Sequence, residues 1–357
     1  HLRGNFLNSH FSFTAGKKGH VAFIGGSITA MNGYRPMLCS FLQKRFPETK
    51  FTFTNAGISS TCSTSGAFRL QRDVLSKGPV DLFFVEFAVN DDQDATHARR
   101  ECIRGMEGIL RQVHAHNPMA DIVITHFVNP GMLKTVGHGK EPVSSGAHED
   151  VAKHYGVSTI HLIREVDRLI AAGELTWRKF GGTHPGPHGN RLCAKMIEKL
   201  LTSSWSMKPA GKAAKVAHAL PKKELDKGNY GAGRFIDPAT AEIKTGWKNH
   251  VPAWKKIGGG FRNTFAGKKL LSATAPGAEC KLEFTGRAIG AYLLAGPDAG
   301  TVEASIDGGE FKPCDLYHRY SRGLHYPRTV MFATDLETGK HTLILRTSER
   351  KARPKAG

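Results

Sequence analysis

The sequence predicts a three-layer α/β/α domain with a mostly parallel five-stranded sheet, followed by a second, all-β domain. Three observations carry that expectation. Residues 80–88 form an almost unbroken apolar run, as a parallel strand covered on both faces requires. Four further short β-type runs alternate with amphipathic segments up to about residue 204, the pattern of repeated βα units. After Ser203 this gives way to short alternating stretches separated by turns.

In chain order, Phe11, Ser12, Phe13 and Thr14 alternate as an edge strand would, in a short N-terminal arm. Strand one is expected at 20–24. Met37, Leu38, Phe41, Leu42 and Phe46 share one helical face in 34–46, and Pro47 stops that helix. Strand two covers 51–55 and enters a loop of small residues, with a helix at about 66–75. A helix at 95–116 precedes strand four at 121–128, and the Gly/Pro-rich stretch 129–145 reads as a long functional loop. A helix near 147–155, strand five at 157–162, a helix to Ala172, a turn-rich 181–189 and a closing helix to about Leu201 complete the domain. The expected organisation is a hydrolase-type domain over 1–204, a basic linker over 205–228 with some helix in 211–220, a β-sandwich over 229–350 and a basic tail over 351–357. Within the β domain, strands are expected at 280–284, 289–294, 301–306 and 341–345, with a turn at Asp307, Gly308 and Gly309. Trp247, Trp254, Tyr317, Tyr320 and Tyr326 read first as core residues, with stacking on sugars as the alternative.

With 357 residues and 40% hydrophobic content, neither a disordered nor a fibrous class is needed. Nothing approaches eighteen consecutive apolar residues, so no membrane partner is expected. The six cysteines are scattered with no C-x-x-C pair, so no zinc site of that kind, no metal and no cofactor are expected. Cys39, Cys102 and Cys193 fall in apolar helical stretches as buried thiols, while Cys280 and Cys314 are left open as a cross-strand pair. The formal net charge of +19 favours a polyanionic partner. Much of that charge lies in 208–227 and 346–355 without interleaved aromatics, so an acidic polysaccharide is favoured over a nucleic acid. The chain opens at His1, not at a methionine, and a secreted or periplasmic location is the expectation. Oligomeric state is not legible.

Chemistry concentrates beyond the carboxyl ends of the expected strands, where α/β sheets bind ligands. Strand one runs into Gly25, Gly26 and Ser27, an order that either lifts a serine hydroxyl to the strand end or caps the next helix. Gly57 follows strand two, Asn90 follows strand three, and His184 precedes the last helix. A serine nucleophile needs an imidazole to take its proton, and the oxyanion it forms needs preorganised donors. The N–H of Ser27, the N–H of Gly57 and the side-chain amide of Asn90 can supply them. His188 is a rival base. Arg69 and Asp73 lie four residues apart as an ion pair on one helix, with a substrate contact from Arg69 as the alternative.

With these residues placed, the sequence resembles the SGNH hydrolase superfamily, the GDSL-like lipases and acylhydrolases, over about 18–204. Gly25, Gly26, Ser27, Ile28 and Thr29 match its nucleophile block with glycine in place of the usual aspartate. Gly57 matches the second-block glycine, Asn90 the third-block asparagine and His184 the last-block histidine. The resemblance implies a flavodoxin-like strand order 2-1-3-4-5 and a serine esterase. It departs at Ala88, where the third block has glycine, and at Gly181, where the family has the aspartate that orients the histidine. A Ser27–His184 dyad is therefore expected, with no acid assigned among Glu86, Asp91 and Asp92. An appended β domain resembles carbohydrate esterases, so the expected substrate is an O-acetylated, plausibly anionic glycan. A general short-chain esterase or thioesterase, and a catalytically impaired polysaccharide-binding protein, are the alternatives.

Overall fold

The computed structural model describes residues 1–207 and 214–348, in two compact units, 1–234 and 235–357. The first unit opens with α1 (Leu7–Thr14), then β1 (Lys18–Gly25), α2 (Ser27–Ala30), α3 (Tyr34–Arg45), β2 (Lys50–Gly57), α4 (Ser63–Asp73), β3 (Leu82–Glu86) and α5 (Arg99–His116). It continues through β4 (Asp121–Thr125), α6 (Pro130–Gly137), α7 (Val143–His154), β5 (Ser158–Ile160), α8 (Leu162–Ala171), α9 (Trp177–Phe180) and α10 (Pro187–Trp205). The sheet order is β2-β1-β3-β4-β5, all parallel. All five residues of β3 are buried, because helices cover both faces of the sheet. One face carries Phe23 and Phe84, stacked with centroids 4.8 Å apart, in a core shared with Leu38, Leu42, Val123, Ile163 and Ile197.

Three expectations are corrected in this unit. Residues 11–14 belong to helix α1, not to an edge strand. Four alternating residues cannot separate the two periods, and the helix buries Phe13 while Ser9 N–H and Ser12 Oγ–H donate to Asp121 and Asp81 at 2.7 and 2.6 Å. The stretch 129–145 is mostly helical. Asn129 caps α6 by accepting the Met132 N–H at 2.8 Å, with Pro130 at the first helical position where its missing N–H costs nothing. Finally, residues 214–234, which include the end of the expected linker, pack along the first unit. His218 N–H donates to Pro118, the Leu225 and Asp226 N–H groups donate to Glu107 at 2.8 and 3.0 Å, and the Tyr230 hydroxyl donates to Glu101 at 2.7 Å. An extended strap held by buried side chains leaves no periodic trace in its own composition. The start of the basic stretch at 208–213 and the tail at 351–357 lie outside the described residues, and the helix expected in 211–220 is corrected over its described part, since 214–220 run extended along the first unit with no helix.

The second unit is antiparallel, with strands β6 (Glu242–Thr245), β7 (Lys248–His250), β8 (Leu270–Ser272), β9 (Glu279–Gly286), β10 (Ile289–Ala295), β11 (Thr301–Ile306), β12 (Lys312–Asp315), β13 (Tyr326–Ala333) and β14 (Gly339–Thr347). They form a sheet ordered β12-β11-β14-β9-β6 and the pairs β10-β13 and β7-β8. Phe284, Ile289, Ala304 and Leu343 pack in its core. Asp307 and Gly308 both take positive φ in the turn after β11, as a tight hairpin needs. Cys280 on β9 and Cys314 on β12 have two strands between them, about 14 Å at ordinary strand spacing, so the cross-strand pair is corrected to two free thiols. Tyr326 is buried, whereas Tyr317 and Tyr320 stand on the surface.

Candidate active site

The β1 strand delivers its last residues to a sharp turn. Gly26 precedes the four-residue helix α2, and Ser27 is its first residue. The serine is therefore both a helix-start residue and a strand-end residue, so the two readings of its sequence window describe one geometry. Ser27 Oγ lies 2.7 Å from His184 Nε2, hydrogen bonded to it. Ser27 comes from the β1 end and His184 from the loop before α10, 157 residues apart. His188, on α10, is not the histidine that meets Ser27.

Gly57 and Asn90 converge on the same turn. A Cβ at Gly57 would lie 2.3 Å from Ala30 N, so only glycine lets the β2 end press against α2. A Cβ at Gly26 would lie 2.1 Å from Asn90 Oδ1. As the residues now stand, the Asn90 amide occupies the space a side chain at 26 would take. Both expected oxyanion donors have partners in this state. Gly57 N–H donates to Asn55 Oδ1 at 3.0 Å, and Asn90 Nδ2 donates one hydrogen to Asp94 Oδ2 at 2.6 Å, keeping its second.

Arg69 is not a substrate contact. Its side chain is fully buried, donating to Ala56 O at 2.6 Å, Gly25 O and Asp73 Oδ2 at 3.0 Å and Thr61 Oγ1 at 3.3 Å. The ion pair with Asp73 is present, but the guanidinium's larger task is to tie the carboxyl ends of β1 and β2 together.

Gly181 adopts φ +105°, and a Cβ there would meet Gly186 N at 1.9 Å. The local backbone thus excludes an aspartate three residues before His184. The sequence-nearest acids are engaged elsewhere. Asp91 caps α4 by accepting Ser63 N–H and Oγ–H at 2.8 and 2.6 Å, and also takes His148 Nε2 at 2.9 Å. Asp92 accepts from Asn129 at 2.8 Å. Glu86 lies at the end of β3, and its Oε1 accepts Gly26 N–H, Thr29 N–H and Thr29 Oγ–H at 3.0, 3.2 and 2.7 Å. From sequence, Glu86 reads only as a candidate partner for the histidine. Its signal was an ionisable residue closing a strand buried on both faces.

Two kinds of cluster resemble cation sites. Cys62, Asp91 and His97, and Asp91, Cys102 and His148, bring three ligand atoms within 4.8 Å. Both Asp91 oxygens are already taken by the donors above, so these clusters are a buried hydrogen-bond network around the α4 start. Burial alone would raise the Asp91 carboxyl, but the hydrogen bond from His148 and the nearby His97 imidazole outweigh it and hold it well below the usual carboxylate range. In the other, His1, Glu149 and His161 meet beside Arg3, whose guanidinium already bonds Glu149 and repels a cation.

Residues 23–192 match the GDSL-like lipase/acylhydrolase family. No curated protein matches the chain. Two solved structures share the fold over nearly its whole length. A two-domain esterase (CEX) described as active on acetylated mannans, co-crystallised with mannopentaose, superposes with a TM-score of 0.78 at 22% identity, covering 99% of this chain and 92% of that one. A second structure of a two-domain esterase (CEX) active on acetylated mannans gives 0.78 at 21% identity, covering 99% and 94%. At such identities the likeness establishes the fold.

Proposed function

We propose, for a chain whose residues 23–192 form a GDSL-like lipase/acylhydrolase domain, that Ser27 and His184 remove O-acetyl groups from a polysaccharide. The domain is that of a carboxylic ester hydrolase. The observation that carries the reading is the 2.7 Å Ser27–His184 hydrogen bond at the carboxyl end of the sheet, on the turn where Gly57 and Asn90 also arrive.

In this mechanism the Ser27 hydroxyl attacks the acetyl carbonyl as His184 Nε2 takes its proton. The resulting oxyanion receives the Ser27 N–H, the free hydrogen of Asn90 Nδ2 and the Gly57 N–H once substrate displaces Asn55 Oδ1. Collapse breaks the ester bond, and His184 returns the proton to the departing sugar oxygen, leaving acetyl-Ser27. Water, deprotonated by His184, then attacks the acetyl carbon and releases acetate. With glycine enforced at 181, the carboxylate that usually orients the imidazole from that position is absent, and Ser27 and His184 act as a dyad.

The shared fold with esterases described as active on acetylated mannans supports a glycan substrate. The +19 formal charge supports one bearing acidic groups. The test is acetate release from acetylated mannan and from an acetylated uronic-acid polysaccharide, with labelling by a fluorophosphonate probe. Wild type should release acetate and label at Ser27, and Ser27→Ala should do neither. Unchanged turnover in Ser27→Ala refutes the assignment. Glycan binding without labelling or turnover identifies a binding protein in place of an esterase.

A further inference from the structure

The turn bearing Ser27 is clamped by two buried ionisable groups, Arg69 and Glu86. On one side Arg69 donates to the Gly25 and Ala56 carbonyls. On the other, Glu86 gathers the Gly26 N–H, the Thr29 N–H and the Thr29 hydroxyl on one oxygen. These are the residue before the nucleophile and the residue two after it. The fit is tight, since a Cβ on Gly25 would lie 2.2 Å from Glu86 Oε1. The other carboxylate oxygen, Oε2, is buried with no hydrogen-bond partner, and the residue is 1% exposed. A half-satisfied buried carboxylate costs stability. A group kept at that cost at the nucleophile turn has a task there.

We propose that Glu86 is a positioning residue for acyl transfer: its carboxylate fixes the Gly26–Thr29 turn so that the Ser27 hydroxyl meets His184 and the Ser27 N–H faces the oxyanion. The proposal rests on Ser27 being the nucleophile. Protonation of Glu86 weakens all three hydrogen bonds together and lets the turn relax. Burial pushes the carboxyl up to about 7, opposed by the bonds from Thr29 and Gly26 and by the charge of Arg69. The groups facing it are Arg69 on α4, Tyr34 on α3, whose hydroxyl bonds Thr29 Oγ1 at 2.9 Å, and Cys193 on α10. Burial and the nearby carboxylate both hold the tyrosine and the thiol neutral, so Glu86 is the member of this group that titrates near neutrality.

The sign follows directly. As pH falls through about 7, Glu86 gains a proton and the turn loosens. The wild-type kcat/KM therefore falls through a step near pH 7 that follows Glu86 protonation. The experiment measures acetate release from an aryl acetate between pH 5 and 9 for wild type and Glu86→Gln, with thermal unfolding at pH 8. Glu86→Gln should lower kcat by about 10- to 100-fold, the scale of a small misplacement of a reacting group, with KM within about twofold. Its profile should lack the step near pH 7 that Glu86 protonation gives the wild type. Because the folded carboxyl titrates above its unfolded value, wild-type stability falls as pH rises from about 4.5 to about 7, so the Gln variant should melt no lower than wild type at pH 8. A slow but stable variant separates positioning from mere structural support. An active wild type whose kcat/KM shows no fall near pH 7 overturns the proposal whether or not the variant folds. So does a Gln variant whose kcat and pH profile match wild type. A wild type that releases no acetate refutes the esterase reading itself, which distinguishes the two failures.

Discussion

Installing the family's missing acid, Gly181→Asp, should damage this protein. Gly181 ends α9 in the left-handed region at φ +105°, ψ 6°, where an L-residue costs about 1–3 kcal/mol. Its new Cβ would lie 1.9 Å from Gly186 N, against 3.4–4 Å for ordinary contact. The obstacle is backbone, so Gly186 must retreat by about 1.5 Å to restore an ordinary carbon contact. That breaks the Gly186 N–H to Phe180 O hydrogen bond of 2.9 Å, worth about 1 kcal/mol. Together these effects cost about 2–4 kcal/mol, which lowers the melting temperature of a domain of this size by roughly 5–15 °C. His184 sits inside the displaced loop, so its 2.7 Å bond to Ser27 is lost and kcat should fall by about 100-fold. Gly181→Ala is the control, since the Cβ alone carries the clash. The assay is thermal unfolding of the whole chain with aryl acetate turnover. A Gly181→Asp protein that melts within a degree of wild type and turns over faster would falsify the claim that the backbone excludes an acid here.

Arg69→Met should unfold the first domain at lower temperature, by about 1–3 kcal/mol, because it removes the buried hydrogen bonds of the guanidinium to the Ala56 and Gly25 carbonyls while Arg72 still pairs Asp73. Restored wild-type stability in that variant contradicts the clamp. Asp94→Ala frees the Asn90 amide that Asp94 now orients, so kcat should fall by about 10-fold or more with KM little changed. A change in KM alone argues against an oxyanion role for Asn90. Asp91, held below its ordinary range, contributes stability that is present above about pH 4 and is lost as pH falls toward its folded value. Asp91→Asn should flatten acid unfolding curves in that window, and an unchanged curve rules the contribution out. If the substrate is acidic, KM for an acetylated uronic-acid polysaccharide rises steeply between about 50 and 500 mM salt while KM for acetylated mannan stays flat. Equal salt responses remove the charge argument.

The sequence by itself determined the alternation of strands and helices in the first domain, because each period repeats within one element and so can be read in a local window. It also determined where Ser27, Gly57, Asn90 and His184 come together, since parallel strands place their carboxyl ends along one edge. Only the tertiary structure decided what holds them there. Glu86 could be read as an acid without a task, and Arg69 as an ion-pair partner on a helix. Their roles depend on partners 60 and 44 residues away, which no local pattern names. The same is true of the strap at 214–234, bound through Glu107 and Gln112 on α5, and of α1, whose serines face Asp81 and Asp121. The nucleophile block could be read locally because its chemistry is written in adjacent residues. The clamp around it could not, because a buried polar group is explained by whatever the fold packs against it.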